Sequence, residues 1–168
     1  AVLAEGKTVI ENAAREPEIV DIVNMLTKMG ANISGAGTSE IIIEGVERLK
    51  PTNHEVIGDR VAAGTFLAAI FSTRGSGKVI GINPEHLPME IKKFKEMGAI
   101  IDLKEDSISI EYDEGINSIE LATLPFPGVA TDLQPIFGSA LLQAEGTSIL
   151  TENVCLLYTS DAADDMQC

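Results

Sequence analysis

The run "ENAAREPEIVDIVNMLTKMGA" at residues 11–31 follows a short apolar lead-in, Thr8-Val9-Ile10, and halts at a glycine. The lead-in reads as a strand ending at Val9 and Ile10. Pro17 suits the first turn of a helix, where its missing N–H has no intrahelical partner to lose. Ile19, Ile22, Val23, Leu26 and Met29 then fall at helical spacing and make one apolar stripe. Gly30 is placed to end that helix, because a C′ residue turns left-handed and glycine does so without steric cost. The next residues, "ANISGAGTSEIIIEG", predict a β-hairpin with a Gly-rich turn and a second strand over residues 40–44.

A shorter version recurs at residues 82–99, "INPEHLPMEIKKFKEMGA". Asn12 and Pro17 lie over Asn83 and Pro88, and Lys28-Met29-Gly30-Ala31 over Glu96-Met97-Gly98-Ala99. Ile91, Phe94 and Met97 form the second stripe, and "AIIDLKEDSISIEY" predicts a second hairpin. Between the copies, residues 59–73 predict a helix carrying Val61, Phe66, Leu67, Ile70 and Phe71. "RGSGK" then reads as a turn, and "VIGI" at residues 79–82 as a strand. "GDRVAAGTFLAAI" has its counterpart in "ATDLQPIFGSALL", which predicts a helix over 132–144 followed by a strand in "EGTSIL". Each unit is strand, helix, hairpin, strand, helix, strand. Neither copy has enough apolar surface to bury alone, so stacked copies must share their helix faces. The expected fold is an α/β domain with helices inside a ring of small sheets. Helices as apolar as "GTFLAAIF" suit burial on most sides.

Composition limits the function. The chain has 168 residues, is 45% hydrophobic and 23% charged, and contains no tryptophan, so a globular domain with an aliphatic core is expected. Its net charge of −14 repels phosphate backbones and argues against nucleic-acid binding. No apolar run is long enough to span a bilayer. The start, "AVLAEGKTVI", has no signal-peptide pattern and reads as the inside of a longer chain. Cys155 and Cys168 both lie in the last stretch, so neither a disulfide scaffold nor a zinc site is suggested, and a cytoplasmic location is the default.

Three acidic positions could carry chemistry. Asp59-Arg60 opens the second helix: an aspartate there either caps the free N–H groups or stands beside an anion site, and spacing alone favours the cap. Thr131-Asp132 is its counterpart in the later copy, with Pro135 consistent with a first helical turn. Arg15-Glu16 sits where a strand end meets a helix, a common place for ligands and equally for a solvated ion pair. "RGSGK" fails as a phosphate loop, since Ser72 stands where the first glycine belongs and Val79 follows Lys78. "GAGTSE" reads as a hairpin turn, and His54 and His86 lack ligand spacing, so no metal site is expected.

Taken together, "TVIENAAREPEIVD", "MGANISGAGTSEIIIEGVERL", "DRVAAGTFLAA", "PEHL", "EMGAIID", "TDLQ" and "AEGTSILTE" closely resemble the UDP-N-acetylglucosamine 1-carboxyvinyltransferase family, in order, over residues 1–154. The resemblance implies a two-domain enzyme, each domain an inside-out α/β barrel of three repeats (the EPSP synthase-like fold), of which this chain would be part of one. It implies transfer of the enolpyruvyl group of phosphoenolpyruvate to the 3′-hydroxyl of UDP-N-acetylglucosamine, by addition and then elimination of phosphate, at the start of peptidoglycan synthesis. It implies these two substrates; no cofactor is expected, and the charge, the apolar runs and the His spacing above give no expectation of a nucleic-acid partner, a membrane partner or a metal.

Carried over residue by residue, Asp132 matches the family base that contacts the sugar hydroxyl. Val154 matches a position whose backbone touches the nucleotide sugar. Asp59, Arg60 and Glu16 match positions near the cleft. Gly58 and Ala130 stand where the family usually has proline, which would loosen both turns. After "TENV" the sequence departs from the family, so residues 155–168 read as an anomalous, non-native tail, and residues 1–154 as about two repeat units of one domain. The reactive cysteine and several phosphate-binding cations of the family have no match here, and the isolated chain is expected to be inactive. The alternatives are the sister family, 3-phosphoshikimate 1-carboxyvinyltransferase, and a non-catalytic repeat scaffold.

Overall fold

The computed structural model describes residues 1–154; the tail expected at 155–168 lies outside the described residues. The chain divides into two compact units, Ala1–Ile57 and the part from Gly58 onward.

In the first unit, β1 (Lys7–Glu11) leads to α1 (Pro17–Lys28), then β2 (Asn32–Ser34) and β3 (Glu40–Glu44). The sheet order is β1-β3-β2, antiparallel throughout, with Lys7 opposite Glu44 and Glu11 opposite Glu40. The core is small: Ala13, Ile41 and Ile43, with Ile19, Ile33 and Val2 packed on it. Gly30 takes φ +100°. Its N–H donates to Thr27 O (2.9 Å) and that of Ala31 to Leu26 O (3.0 Å). This is the Schellman pairing that satisfies the last carbonyls of a helix. The segment after β3 is tied to α1, where His54 Nε2 meets Asp21 Oδ1 at 2.9 Å.

The second unit contains α2 (Arg60–Ser72), β4 (Ser76–Ile80), α3 (Pro88–Glu96), β5 (Ile100–Lys104), β6 (Ser107–Glu111), β7 (Glu120–Ala122), α4 (Gln134–Leu141) and β8 (Ile149–Thr151). The order β4-β6-β5 repeats β1-β3-β2, again antiparallel. The recurring Met-Gly-Ala is again a Schellman stop: Gly98 N–H donates to Lys95 O (3.0 Å) and Ala99 N–H to Phe94 O (2.9 Å). The sequence repeat is therefore a repeat of topology and of helix ends. A parallel pair, β7 with β8, sets Glu120 opposite Ile149 and Ala122 opposite Thr151.

The larger core belongs to this unit. Leu67 and Phe71 from α2, Phe94 and Met97 from α3, Ile108 from β6, and Leu133 and Phe137 at α4 are fully or almost fully buried. Phe94 and Phe137 stack at 4.7 Å between centroids. Each such side chain contributes about 1.5–3 kcal/mol on burial. The counterpart helices α2 and α4 pack on one another. Gly64 allows that approach: a Cβ there would stand 2.8 Å from Leu133 Cδ2.

Several expectations need correction. The strand β4 starts at Ser76, inside "RGSGK", so the turn is Thr73–Arg74, with Gly75 joining it to the strand. Gly77 permits this, since a Cβ there would stand 2.8 Å from Ile70 Cδ1 of α2. That strand ends at Ile80, with Gly81 at φ +83°. In place of a strand over "EGTSIL" the structure has Ile149–Thr151, the residues that reach β7. The helix expected over 132–144 begins as a 3-10 turn, Thr131–Leu133, and α4 ends at Leu141. As expected of an incomplete barrel, the small sheets remain separate and no closed barrel forms among the described residues. The turn at Gly58 is closely packed: a Cβ there would lie 1.9 Å from Gly81 O, so a side chain at 58 would require the backbone at Gly81 to shift.

Candidate active site

Asp59 and Asp132 occupy matched places before matched helices, yet their surroundings differ. Asp59 is the N-cap of α2, and its Oδ1 accepts from Val61 N (2.8 Å) and Ala62 N (2.9 Å). Two of the helix's unpaired donors are satisfied in this way. Arg60 follows it into the interior, with 8% exposure. Its guanidinium lies over the Phe126 ring, 5.8 Å from the centroid.

Asp132 lies in the 3-10 turn, exposed, and neither that turn nor α4 has a side-chain cap. The capping role considered for it is thus not the one it has. Its turn is held by its neighbours instead. Leu133 is fully buried beneath it, and its N–H donates to Ala130 O at 3.0 Å. Ala130 N–H donates to Oε1 of Glu90, at 3.3 Å. Proline at 130 would have no such N–H, so this turn too is anchored rather than loosened. Glu90 extends from α3 and is 1% exposed. Burial pushes its carboxyl above the ordinary value, against the opposing pull of hydrogen bonds from the Glu90 and Ala130 backbone and of the Arg60 charge.

The other side of the turn is held by Glu152, just past β8. Its Oε2 accepts from Thr131 Oγ1 (2.9 Å). Its Oε1 accepts from Thr123 Oγ1 (2.6 Å) and from Val154 N (2.7 Å). Thr123 Oγ1 in turn accepts from Asn153 N at 2.9 Å. One carboxylate therefore joins the turn bearing Asp132 to the backbone at Val154, whose side chain is exposed. Charge-assisted bonds of this kind are short and comparatively strong.

Glu16 lies in the first unit, immediately before α1, and provides no side-chain cap there. It is half-buried, and its Oε2 is buried with no hydrogen-bond partner among the described residues. Arg15 is exposed. An open groove of about 360 Å³ runs along β7, lined by residues that include Met89, Lys93, Leu121, Leu124 and Thr151, and by none of the predicted site residues. Among the described residues no group of three or more His, Cys, Asp or Glu could hold a metal ion.

The polar residues not anticipated from sequence are Glu90, Thr123 and Glu152. Glu90 had a signal: with Leu87, Phe94 and Met97 it falls on the apolar stripe of α3, and a charge on such a stripe is buried. Glu152 had none, because the two hydroxyls it binds are 21 and 29 residues away in sequence.

The sequence matches the family model described as EPSP synthase (3-phosphoshikimate 1-carboxyvinyltransferase) over residues 1–156. The chain belongs to the EPSP synthase family. Among relatives in this family, it is 51% identical to the UDP-N-acetylglucosamine 1-carboxyvinyltransferase of Nocardia farcinica, over 92% of this chain and 36% of that protein. It is 46% identical to the one of Thermotoga maritima, over 92% of this chain and 37% of the other. The chain thus spans little more than a third of the curated relatives it matches. The EPSP synthase-like fold is seen in the crystal structure of the enolpyruvyl transferase NikO from Streptomyces tendae. That structure superposes with a TM-score of 0.81 at 21% identity, over 97% of this chain and 39% of NikO. EPSP synthase from Acinetobacter baumannii superposes with a TM-score of 0.55 at 22% identity, over 88% of this chain and 35% of the other.

Proposed function

We propose that this chain is the Asp132-bearing part of a UDP-N-acetylglucosamine 1-carboxyvinyltransferase. The observation that carries the reading is an exposed carboxylate on a turn anchored from both sides. Relatives bearing that name at about half identity support the choice of acceptor. The 3′-hydroxyl of the sugar nucleotide adds to C2 of phosphoenolpyruvate while C3 takes a proton from an acid of the full-length protein, and Asp132 accepts the hydroxyl proton as the C–O bond forms. A positioned carboxylate in this role contributes about 10²–10⁴-fold. The tetrahedral phospholactoyl adduct then loses a proton from C3 as its C2–O bond to phosphate breaks, which restores the double bond in the enolpyruvyl ether.

In this reading the backbone at Val154 meets the nucleotide sugar and Asp59 and Arg60 belong to the approach to it, while Glu16 is assigned to substrate binding on the family resemblance. Arg60 would act from the interior, through its stacking on Phe126. Residues 1–154 form part of one domain, and residues 155–168 are foreign to it. The reaction would open peptidoglycan synthesis in the cytoplasm, with no nucleic-acid partner. A net charge of −14 supports the last point. Among the described residues no helix is long and apolar enough to cross a membrane.

The test is phosphate release from phosphoenolpyruvate by the full-length protein, with UDP-N-acetylglucosamine and shikimate 3-phosphate offered separately as acceptors. Release with the sugar nucleotide alone is expected; release with shikimate 3-phosphate alone transfers the assignment to the sister activity. The 168-residue chain alone is expected to give none, because it spans little more than a third of the relatives it matches and several of the family's phosphate-binding cations have no match in it.

A further inference from the structure

We infer that Glu152 is a positioning residue, which sets the Asp132 turn and the Val154 backbone in register with one another. The inference rests on the reading of Asp132 as the base and of Val154 as a sugar contact. The geometry is specific. A carboxylate has two oxygens, and here they are divided between two tasks. Oε2 takes the hydroxyl of Thr131, the residue before Asp132, at 2.9 Å. Oε1 takes Val154 N at 2.7 Å and the Thr123 hydroxyl at 2.6 Å. Thr123 is itself fully buried at the end of β7, and its N–H donates to Thr151 O at 2.9 Å, so the anchor does not move with solvent.

The base and the sugar-contacting backbone come from segments more than twenty residues apart in sequence, with α4 between them. Without a link, each turn could shift independently of the other. An acceptor hydroxyl must be held by the one and deprotonated by the other in the same complex. A misplacement of about 1 Å there costs on the order of a hundredfold in rate. Glu152 shares no atom with the reaction in this scheme; it acts through Thr131 and Val154.

The experiment uses the full-length protein with Thr131→Val, Thr131→Ser, Glu152→Ala and Asp132→Asn, reading kcat, both KM values and the melting temperature. Thr131→Val removes only the link to the Asp132 turn and is expected to lower kcat by about tenfold to a hundredfold. It should leave both KM values near wild type, and Thr131→Ser should restore most of the rate. Glu152→Ala is expected to lower kcat to a similar extent and also to raise KM for UDP-N-acetylglucosamine, since it releases Val154 as well. In the Glu152→Ala background, Thr131→Val should add almost nothing, because the two act as one contact. Should Glu152→Ala fail to fold, the valine and serine variants decide alone. Wild-type kcat in Thr131→Val, with Asp132→Asn inactive, overturns the inference and leaves the base assignment standing. Wild-type kcat in Asp132→Asn removes the base assignment, and the inference with it.

Discussion

Asp59 and Asp132 stand at the same point of two copies of one repeat, and the fold uses them differently. Asp59 closes the first turn of α2 with two hydrogen bonds to its own helix. Asp132 makes no such cap, because the chain enters α4 through a 3-10 turn whose flanking atoms are held by Glu90 and Glu152. When neighbours anchor the turn, its own carboxylate is left exposed. A helix-start aspartate becomes available for chemistry when other groups hold the turn it would otherwise cap.

The comparison breaks most severely at the shared contact between the two helices. Leu133 is fully buried beneath the Asp132 turn and packs on Gly64 of α2. Leu133→Ala is expected to destabilise the protein by about 2–5 kcal/mol, read as a fall in the denaturation midpoint. Gly64→Val approaches the same contact from the α2 side. Its Cβ would meet Leu133 Cδ2 at 2.8 Å, so an overpacking cost of about 1–3 kcal/mol is expected. That cost should shrink when Leu133 is alanine, and equal costs in both backgrounds would refute the contact as the cause.

Capping is the next largest difference. Asp59→Ala should cost about 1 kcal/mol by loss of its two hydrogen bonds, whereas Asp132→Ala, which removes no cap, should fall within about 0.5 kcal/mol of wild type. Equal losses at the two sites would erase the distinction.

The smallest effect is in pH dependence. Burial raises the Glu90 pKa above the ordinary carboxylate value, so the folded protein binds this proton more tightly than the unfolded chain. The stability that Glu90 contributes is present below the unfolded value and is lost as pH rises through the folded one. Glu90→Gln removes that slope. Relative to wild type, the variant should gain stability as pH increases through the range just above the usual carboxylate value. A gain on lowering the pH would contradict the sign.

Much of this fold is legible locally, because helix ends and caps are local events. Met29-Gly30-Ala31 and Met97-Gly98-Ala99 both announced the Schellman stops that the structure forms. Asp59 was readable as a cap, and Phe94 and Met97 as core. The start of β4 was not, because Ser76, Gly77 and Lys78 become strand only through pairing with Glu111, Ile110 and Ser109. Glycine at 77 looked like a turn signal, but it serves close packing against Ile70. At the candidate site, the acid was visible in sequence and its supports were not. Glu152 reaches Thr123 across 29 residues, a closeness created by the parallel pairing of β7 with β8. Ala130 resembled a weakness until Glu90 met its N–H.

Rates of phosphate release by the full-length protein carrying Asp132→Asn or Asp59→Asn, measured side by side with UDP-N-acetylglucosamine and phosphoenolpyruvate, compare the two aspartates directly. Asparagine preserves capping, so both variants should fold. Asp132→Asn is expected to lower kcat by about 10²–10⁴-fold, and Asp59→Asn by far less. A wild-type rate for Asp132→Asn, or a deeper loss at Asp59, would contradict the assignment of Asp132 as the base.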